Sequence, residues 1–149
     1  MFLCTGNSCR SQMAEGWAGK LRAQDIEPYS AGVEPRAIDP RAVKAMAEVG
    51  IDISGQRSKH VHELKGIEFY FVITLCGQAR ETCPVFLGKT KVVYHGFEDP
   101  PQLAASAKTE EEAMSHYRRI RDEIKEFVLG IPANLGDAEL VFVKEDVEP

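Results

Sequence analysis

Apolar residues along the chain alternate between short continuous runs and stripes at helical spacing. Phe2 and Leu3 run into a Gly/Asn/Ser turn and read as a strand. Ser11 is a plausible N-cap, after which Met13, Trp17 and Leu21 recur every four residues along one helix face. Glu27 to Ser30 predicts a second strand, ended by Gly32. Asp39-Pro40 pairs an N-cap with proline at the first helical position. Val43, Met46 and Ala47 supply that helix's apolar face, and Gly50 closes it. The run Phe69 to Leu75 is continuously apolar and rich in β-formers, as a strand buried on both faces would be, and Lys91 to Tyr94 is a further short strand. Thr109 and Glu112 form a capping box for a helix carrying Ala113, Tyr117, Ile120, Ile124 and Phe127 at helical spacing.

Strands alternating with helices predict a small three-layer α/β domain, with a central parallel four-stranded sheet and helices on both faces. Residues 1–149 read as a single domain, with a core over 1–130 and a C-terminal extension over 131–149 of no assigned role. In that extension, Leu140 to Val143 is either an extra edge strand or a segment packed on the body, and the acidic end Glu145 to Pro149 is expected to be mobile. Ligands of such sheets bind beyond the carboxyl ends of the strands, and the first strand ends at Cys4.

Composition narrows the function. The net charge of −5 argues against a general nucleic-acid surface, so any oxyanion must be met by a local concentration of positive potential. No apolar run approaches a membrane span, and the opening Met-Phe-Leu-Cys has no export signal, so a cytoplasmic protein is expected. The four cysteines, at 4, 9, 76 and 83, are then catalytic or buried rather than a disulfide framework, and their spacing matches no zinc motif. His60 and His62, in a lysine-flanked polar loop, read as solvated rather than as ligands. No metal is expected.

The segment Cys4-Thr5-Gly6-Asn7-Ser8-Cys9-Arg10-Ser11 carries the chemistry. Small residues and one glycine allow the backbone to curl so that successive N–H groups point inward as an anion nest. The following helix adds its positive N-terminus, and Arg10 can fork two hydrogen bonds onto a tetrahedral oxyanion. Cys4, at the lip of this positive field, is expected to ionise well below the ordinary thiol value, with Ser11 donating to the thiolate.

This run resembles the active-site loop of the low-molecular-weight protein tyrosine phosphatases and of the thioredoxin-coupled arsenate reductases built on the same fold. The longer string from Phe2 through Gly16 is closest to the reductases, and the similarity covers roughly residues 1 to 129. The resemblance implies a general acid at Asp99, in the Asp-Pro pair of Gly96-Phe-Glu-Asp-Pro-Pro101, with Glu98 as the neighbouring competitor. It also implies that Cys76 and Cys83 are redox residues, which phosphatases of this fold generally lack. The implied reaction is arsenic detoxification by an arsenate reductase. Cys4 attacks arsenate, Cys76 attacks Cys4 as arsenite leaves, and Cys83 attacks Cys76, leaving a Cys76–Cys83 disulfide for thioredoxin or a similar dithiol donor to reduce. Phosphate and sulfate would bind as analogues, and no cofactor is implied.

If the 76–83 segment is helical, its two cysteines share a face but lie about 10.5 Å apart along the axis. A disulfide needs Cα atoms within roughly 7 Å, so the segment would have to unwind. Cys9 has no assigned step; it packs beside the loop or forms an unproductive disulfide with Cys4. Some relatives bind potassium beside the loop. Asn7, Glu15 and Ser30 match that pattern, but Arg57 and Lys59 stand where small hydroxyl and acidic ligands are expected, and a fixed cation from either could replace the metal. Relatives usually carry several residues before Phe2, so the chain is expected to start late or to have an unusually short first strand. Two other readings use the same residues. A tyrosine phosphatase needs only Cys4, Arg10 and Asp99, although Pro100-Pro101-Gln102 follows where aromatics are usual. A non-enzymatic redox sensor would use Cys76 and Cys83 as its switch.

Overall fold

The computed structural model describes residues 1–84, 86 and 89–136, together with the backbone of 139–142. Five strands form one sheet: β1 (Phe2–Cys4), β2 (Ser30–Gly32), β3 (Phe71–Thr74), β4 (Lys91–Tyr94) and β5 (Glu139–Phe142). Their order is β2-β1-β3-β4-β5. The first four are mutually parallel, as the alternation predicts, and β5 joins the β4 edge antiparallel. The tail therefore supplies an edge strand, the first of the two roles open to Leu140–Val143. Val143 and the acidic end at 145–149 lie outside the described residues.

Five helices surround the sheet: α1 (Arg10–Leu21), α2 (Pro40–Ala47), α3 (Gly77–Glu81), α4 (Pro100–Ala104) and α5 (Glu110–Leu129). Strand side chains alternate between two cores. Phe2, Ile73 and Val93 face the larger, which buries Met13 and Trp17 of α1, Met46 of α2, and Tyr117, Ile120 and Ile124 of α5. Leu3 and Val72 face the smaller, closed by Val61 on a 3-10 turn and by Ala79 of α3. Helices do lie on both faces; among the described residues one face carries the short α3 and the 3-10 turn at Val61–Leu64.

Local signals place most element ends. Asp39 Oδ1 accepts from Arg41 N at 2.9 Å with Pro40 beside it, and Gly50, at φ +82°, takes the left-handed step after α2. Thr109 Oγ1 accepts from Glu112 N at 3.0 Å, but the Glu112 carboxylate reaches back to Lys108 N, one residue short of a reciprocal box. The Arg22 guanidinium satisfies the carbonyls of Val128, Leu129 and Ile131, tying the end of α1 to the end of α5.

Two sequence expectations shift, and one helix is added. The second strand is Ser30–Gly32 rather than 27–30, because hydrogen bonding to β1 selects the small residues there. The cap of α1 is Cys9 rather than Ser11, since Arg10 is already helical. A short helix, α4, follows Asp99, where the two prolines pre-set the first turn.

Candidate active site

In the order β2-β1-β3-β4 the chain leaves β1 in one direction for β2 and in the other for β3. The crevice at such a switch point opens beyond the carboxyl ends of the strands. Cys4 is the last residue of β1, and Cys76 lies two residues past the end of β3. Two distant sequence positions thus reach one place, and Cys4 Sγ lies 3.8 Å from Cys76 Sγ.

The loop from Cys4 to Cys9 is held by its carbonyls. Those of Cys4, Thr5, Gly6 and Ser8 accept from the backbone N–H groups of Val33, Glu34, Arg36 and Asp39. Ser58 Oγ adds a second bond to Gly6 O, Gln12 Nε2 donates to Asn7 O, and Met13 N donates to Cys9 O. Six successive carbonyls therefore point outward. In planar peptide units the N–H groups then point the opposite way, converging on the concavity above Cys4. Close approach needs Gly32: a Cβ there would lie 2.7 Å from Thr5 O and 2.9 Å from Asn7 N.

The left-handed residue of the loop is Asn7, at φ +48°, and not Gly6 as the composition suggests. Asparagine tolerates this conformation because its short amide bonds locally. Asn7 is fully buried, with Nδ2 donating to Ser11 Oγ (2.8 Å) and Ser30 Oγ (3.0 Å) and Oδ1 accepting from Lys59 N (3.0 Å). Ser11 Oγ accepts from Asn7 Nδ2, which fixes the hydroxyl oxygen and leaves its O–H to donate elsewhere. Behind the loop, Tyr117 donates to the Asp39 carboxylate, joining α5 to the residue that holds Ser8.

Ser30 Oγ in turn donates to Glu15 Oε1 at 2.5 Å, and the largely buried Lys59 ammonium lies 4.0 Å from that carboxylate. Lys59 Nζ also donates to Arg57 O, while the Arg57 guanidinium pairs with Glu63 on the surface. Of the two cations considered from sequence, Lys59 is the one that meets the Asn7 network. Lys59→Met should leave Glu15 without its countercharge and lower stability by about 1–3 kcal/mol. A thermal melt within a degree of the parent would count against that role.

Arg10 is 8% exposed. Its NH1 donates to Phe97 O at 2.8 Å, its NH2 lies 3.6 Å from Asp99 Oδ1, and its Nε is buried without a partner. A buried guanidinium N–H left unpaired is costly, and an oxyanion in the cradle would satisfy it. The acid loop is fastened to the end of β3 by His95 N→Thr74 O and Phe97 N→Leu75 O, which brings Asp99 to Arg10. Glu98, its sequence competitor, turns away to Arg119 at 3.0 Å.

The thiols at the two strand ends are coupled. Thr5 Oγ1 lies 3.1 Å from Cys76 Sγ. Cys76 is lowered to about 5, chiefly by the hydrogen bond from Cys4, with Thr5 and the Ala79 N–H assisting against partial burial. Cys4 is pushed up instead, by its bond to Cys76 and by burial, although Arg10 pulls it down. With their sulfurs 3.8 Å apart the two thiols titrate as one coupled pair, and the shared hydrogen bond favours loss of the first proton. Burial raises Cys83 to about 11; its Sγ reaches Pro84 O and it packs with Cys76 against the smaller core. Burial also raises the Cys9 thiol, behind the loop. Iodoacetamide at neutral pH should therefore alkylate Cys76 well before Cys83. Peptide mapping that finds Cys83 labelled first would refute this charge distribution. Among the described residues, no group of three or more His, Cys, Asp or Glu side chains is placed to hold a metal.

The fold and site define a cysteine-based oxyanion enzyme of the parallel α/β type. The chain belongs to the low molecular weight phosphotyrosine protein phosphatase family, whose model matches residues 1–138. It is 48% identical over 123 residues to an arsenate reductase from Halalkalibacterium halodurans, covering 83% of this chain and 86% of that one. An arsenate reductase solved in its phosphate-binding state superposes with a TM-score of 0.67 at 35% identity, covering 91% of this chain and 96% of the other. A thioredoxin-dependent arsenate reductase of Corynebacterium glutamicum superposes at 0.61 with 26% identity, covering 89% of this chain and 61% of that one. No helix among the described residues is long and apolar enough to cross a membrane.

Proposed function

We propose that this chain is an arsenate reductase in which Cys4, Cys76 and Cys83 carry two electrons to arsenate, and that residues 1–149 form one catalytic domain with its core at 1–130. The observation that supports reduction over hydrolysis is the 3.8 Å separation of Cys4 and Cys76 sulfurs, a contact that a phosphatase does not need. Arsenate sits in the cradle of Thr5 to Ser11, its oxygens taking the inward N–H groups and Arg10. An oxygen of the bound arsenate takes the Cys4 proton, which frees the thiolate for attack on arsenic. Asp99, carried to the site on its proline-braced turn, protonates the departing oxygen as water. Cys76, already a thiolate, attacks Cys4 Sγ. The Cys4–arsenic bond breaks, its electron pair stays on arsenic, and arsenite leaves a Cys4–Cys76 disulfide. Cys83 then attacks Cys76 Sγ, restores Cys4 and leaves Cys76–Cys83, which an external dithiol reduces. Thioredoxin is the donor this reading assigns, in a reducing cytoplasm where all three thiols start free.

The test is arsenate-dependent NADPH oxidation through thioredoxin and thioredoxin reductase, comparing the parent with Cys76→Ser. Multiple turnovers in the parent that vanish in the variant support the relay. The competing phosphatase reading rests on Cys4, Arg10 and Asp99 alone. It would prevail if neither protein reduced arsenate while both hydrolysed an aryl phosphate briskly.

A further inference from the structure

The two thiols at the strand ends differ in what they meet. Cys4 is 4% exposed, on the floor of a cradle whose donors select an anion. Cys76 is only partly buried and lies at the start of α3, with Thr5 Oγ1 3.1 Å away and Cys4 Sγ 3.8 Å away. An uncharged oxidant gains nothing from the N–H nest and Arg10, and of the two residues Cys76 is the more exposed. We propose that the chain also reduces hydroperoxides, with Cys76 as the attacking thiolate and Cys4 as the thiol that resolves it.

The step balances with the groups present. Cys76 Sγ attacks the terminal oxygen of ROOH, the O–O bond breaks, and Cys76 becomes a sulfenic acid. The departing alkoxide takes the proton of Cys4 Sγ and leaves as ROH. Cys4 is then a thiolate beside Arg10. It attacks Cys76 Sγ, the S–S bond forms, and hydroxide leaves to be protonated to water by solvent. Two electrons have passed from the two sulfurs to the peroxide. The sulfurs close from 3.8 Å to the about 2.05 Å of a disulfide, a side-chain displacement that leaves the strands in place. Thr5 Oγ1, 3.1 Å from Cys76 Sγ, can donate to the thiolate from its place in the loop. The product is the Cys4–Cys76 disulfide that arsenate reduction also yields, so Cys83 and the external dithiol reset it; repeated turnover thus rests on the relay proposed above, whereas the first turnover does not.

The experiment uses the reduced full chain with tert-butyl hydroperoxide and no arsenate, following thiol loss and mapping a sulfenate-trapping dione by mass spectrometry. The parent should lose two thiols per peroxide consumed and form the Cys4–Cys76 disulfide or its Cys76–Cys83 successor. Cys4→Ser should accumulate the trap on Cys76, and Cys76→Ser should consume peroxide at least about tenfold more slowly. Peroxide consumption by Cys76→Ser at the parent's rate overturns the proposal, as does a trap found on Cys4, Cys9 or Cys83. The same preparations are given arsenate in parallel. Arsenate reduction without peroxide reduction rejects the hydroperoxide activity alone, and failure of both rejects the relay with it.

Discussion

Cys83→Ser should release one arsenite per chain and then stop. Without Cys83 the reaction proceeds through attack by Cys76 on Cys4 and ends at the Cys4–Cys76 disulfide, since the one other thiol, Cys9, is buried and held protonated by that burial. The structure also says what this last exchange costs the parent. Cys76 caps α3 and Cys83 lies two residues beyond its end, both packed against the smaller core with Ala79 between them. Burial holds the Cys83 thiol up near 11, so at neutral pH it is protonated and unreactive where it sits. On the relay proposed above, its attack calls for α3 to open and bring the two sulfurs together. In a rapid-mix assay with thioredoxin as the reductant, the variant should show a burst of one arsenite per chain and a steady rate near zero. Unaltered steady turnover would show that Cys83 takes no part.

The second large effect is expected from Arg10→Lys. Lysine keeps the charge but loses the fork that lets one side chain hold Phe97 O, face Asp99 and leave its buried Nε to an oxyanion. Both substrate binding and the seating of the acid loop should suffer. The expected loss in kcat/KM is about 10²–10³, the range for removing one preorganised donor from an oxyanion site. Inhibition by phosphate should weaken in parallel, because a ground-state analogue uses the same fork. A lysine variant within about threefold of the parent on both measures would mean that charge alone suffices.

Much of this was legible along the chain because it is local. The apolar runs and the caps at Asp39, Gly50 and Thr109 depend on neighbours within a few residues, and the structure keeps them. The cradle was legible for the same reason: a strand, a small-residue turn and a helix N-terminus are contiguous from Phe2 to Leu21. The resemblance put the acid at Asp99 through its Asp-Pro pair, but that Glu98 pairs with the distant Arg119 was not legible from a turn that carries both carboxylates. Nor could composition have found Ser58, Gln12 or Asp39 as anchors of the loop carbonyls, because these contacts bind through ordinary side chains and backbone N–H groups with no motif of their own.

By itself the sequence determined the alternating α/β order, the oxyanion loop from Cys4 to Ser11, and the presence of two further thiols seven residues apart. The tertiary structure alone decided that the Cys4 and Cys76 sulfurs lie 3.8 Å apart, that Glu98 pairs with Arg119, and that Lys59 rather than Arg57 meets Glu15. The physical reason is common to all three. Each depends on the distance and burial of groups brought together by strand order and loop course, and electrostatic and covalent reach fall off over a few ångströms in space however far apart the residues lie along the chain.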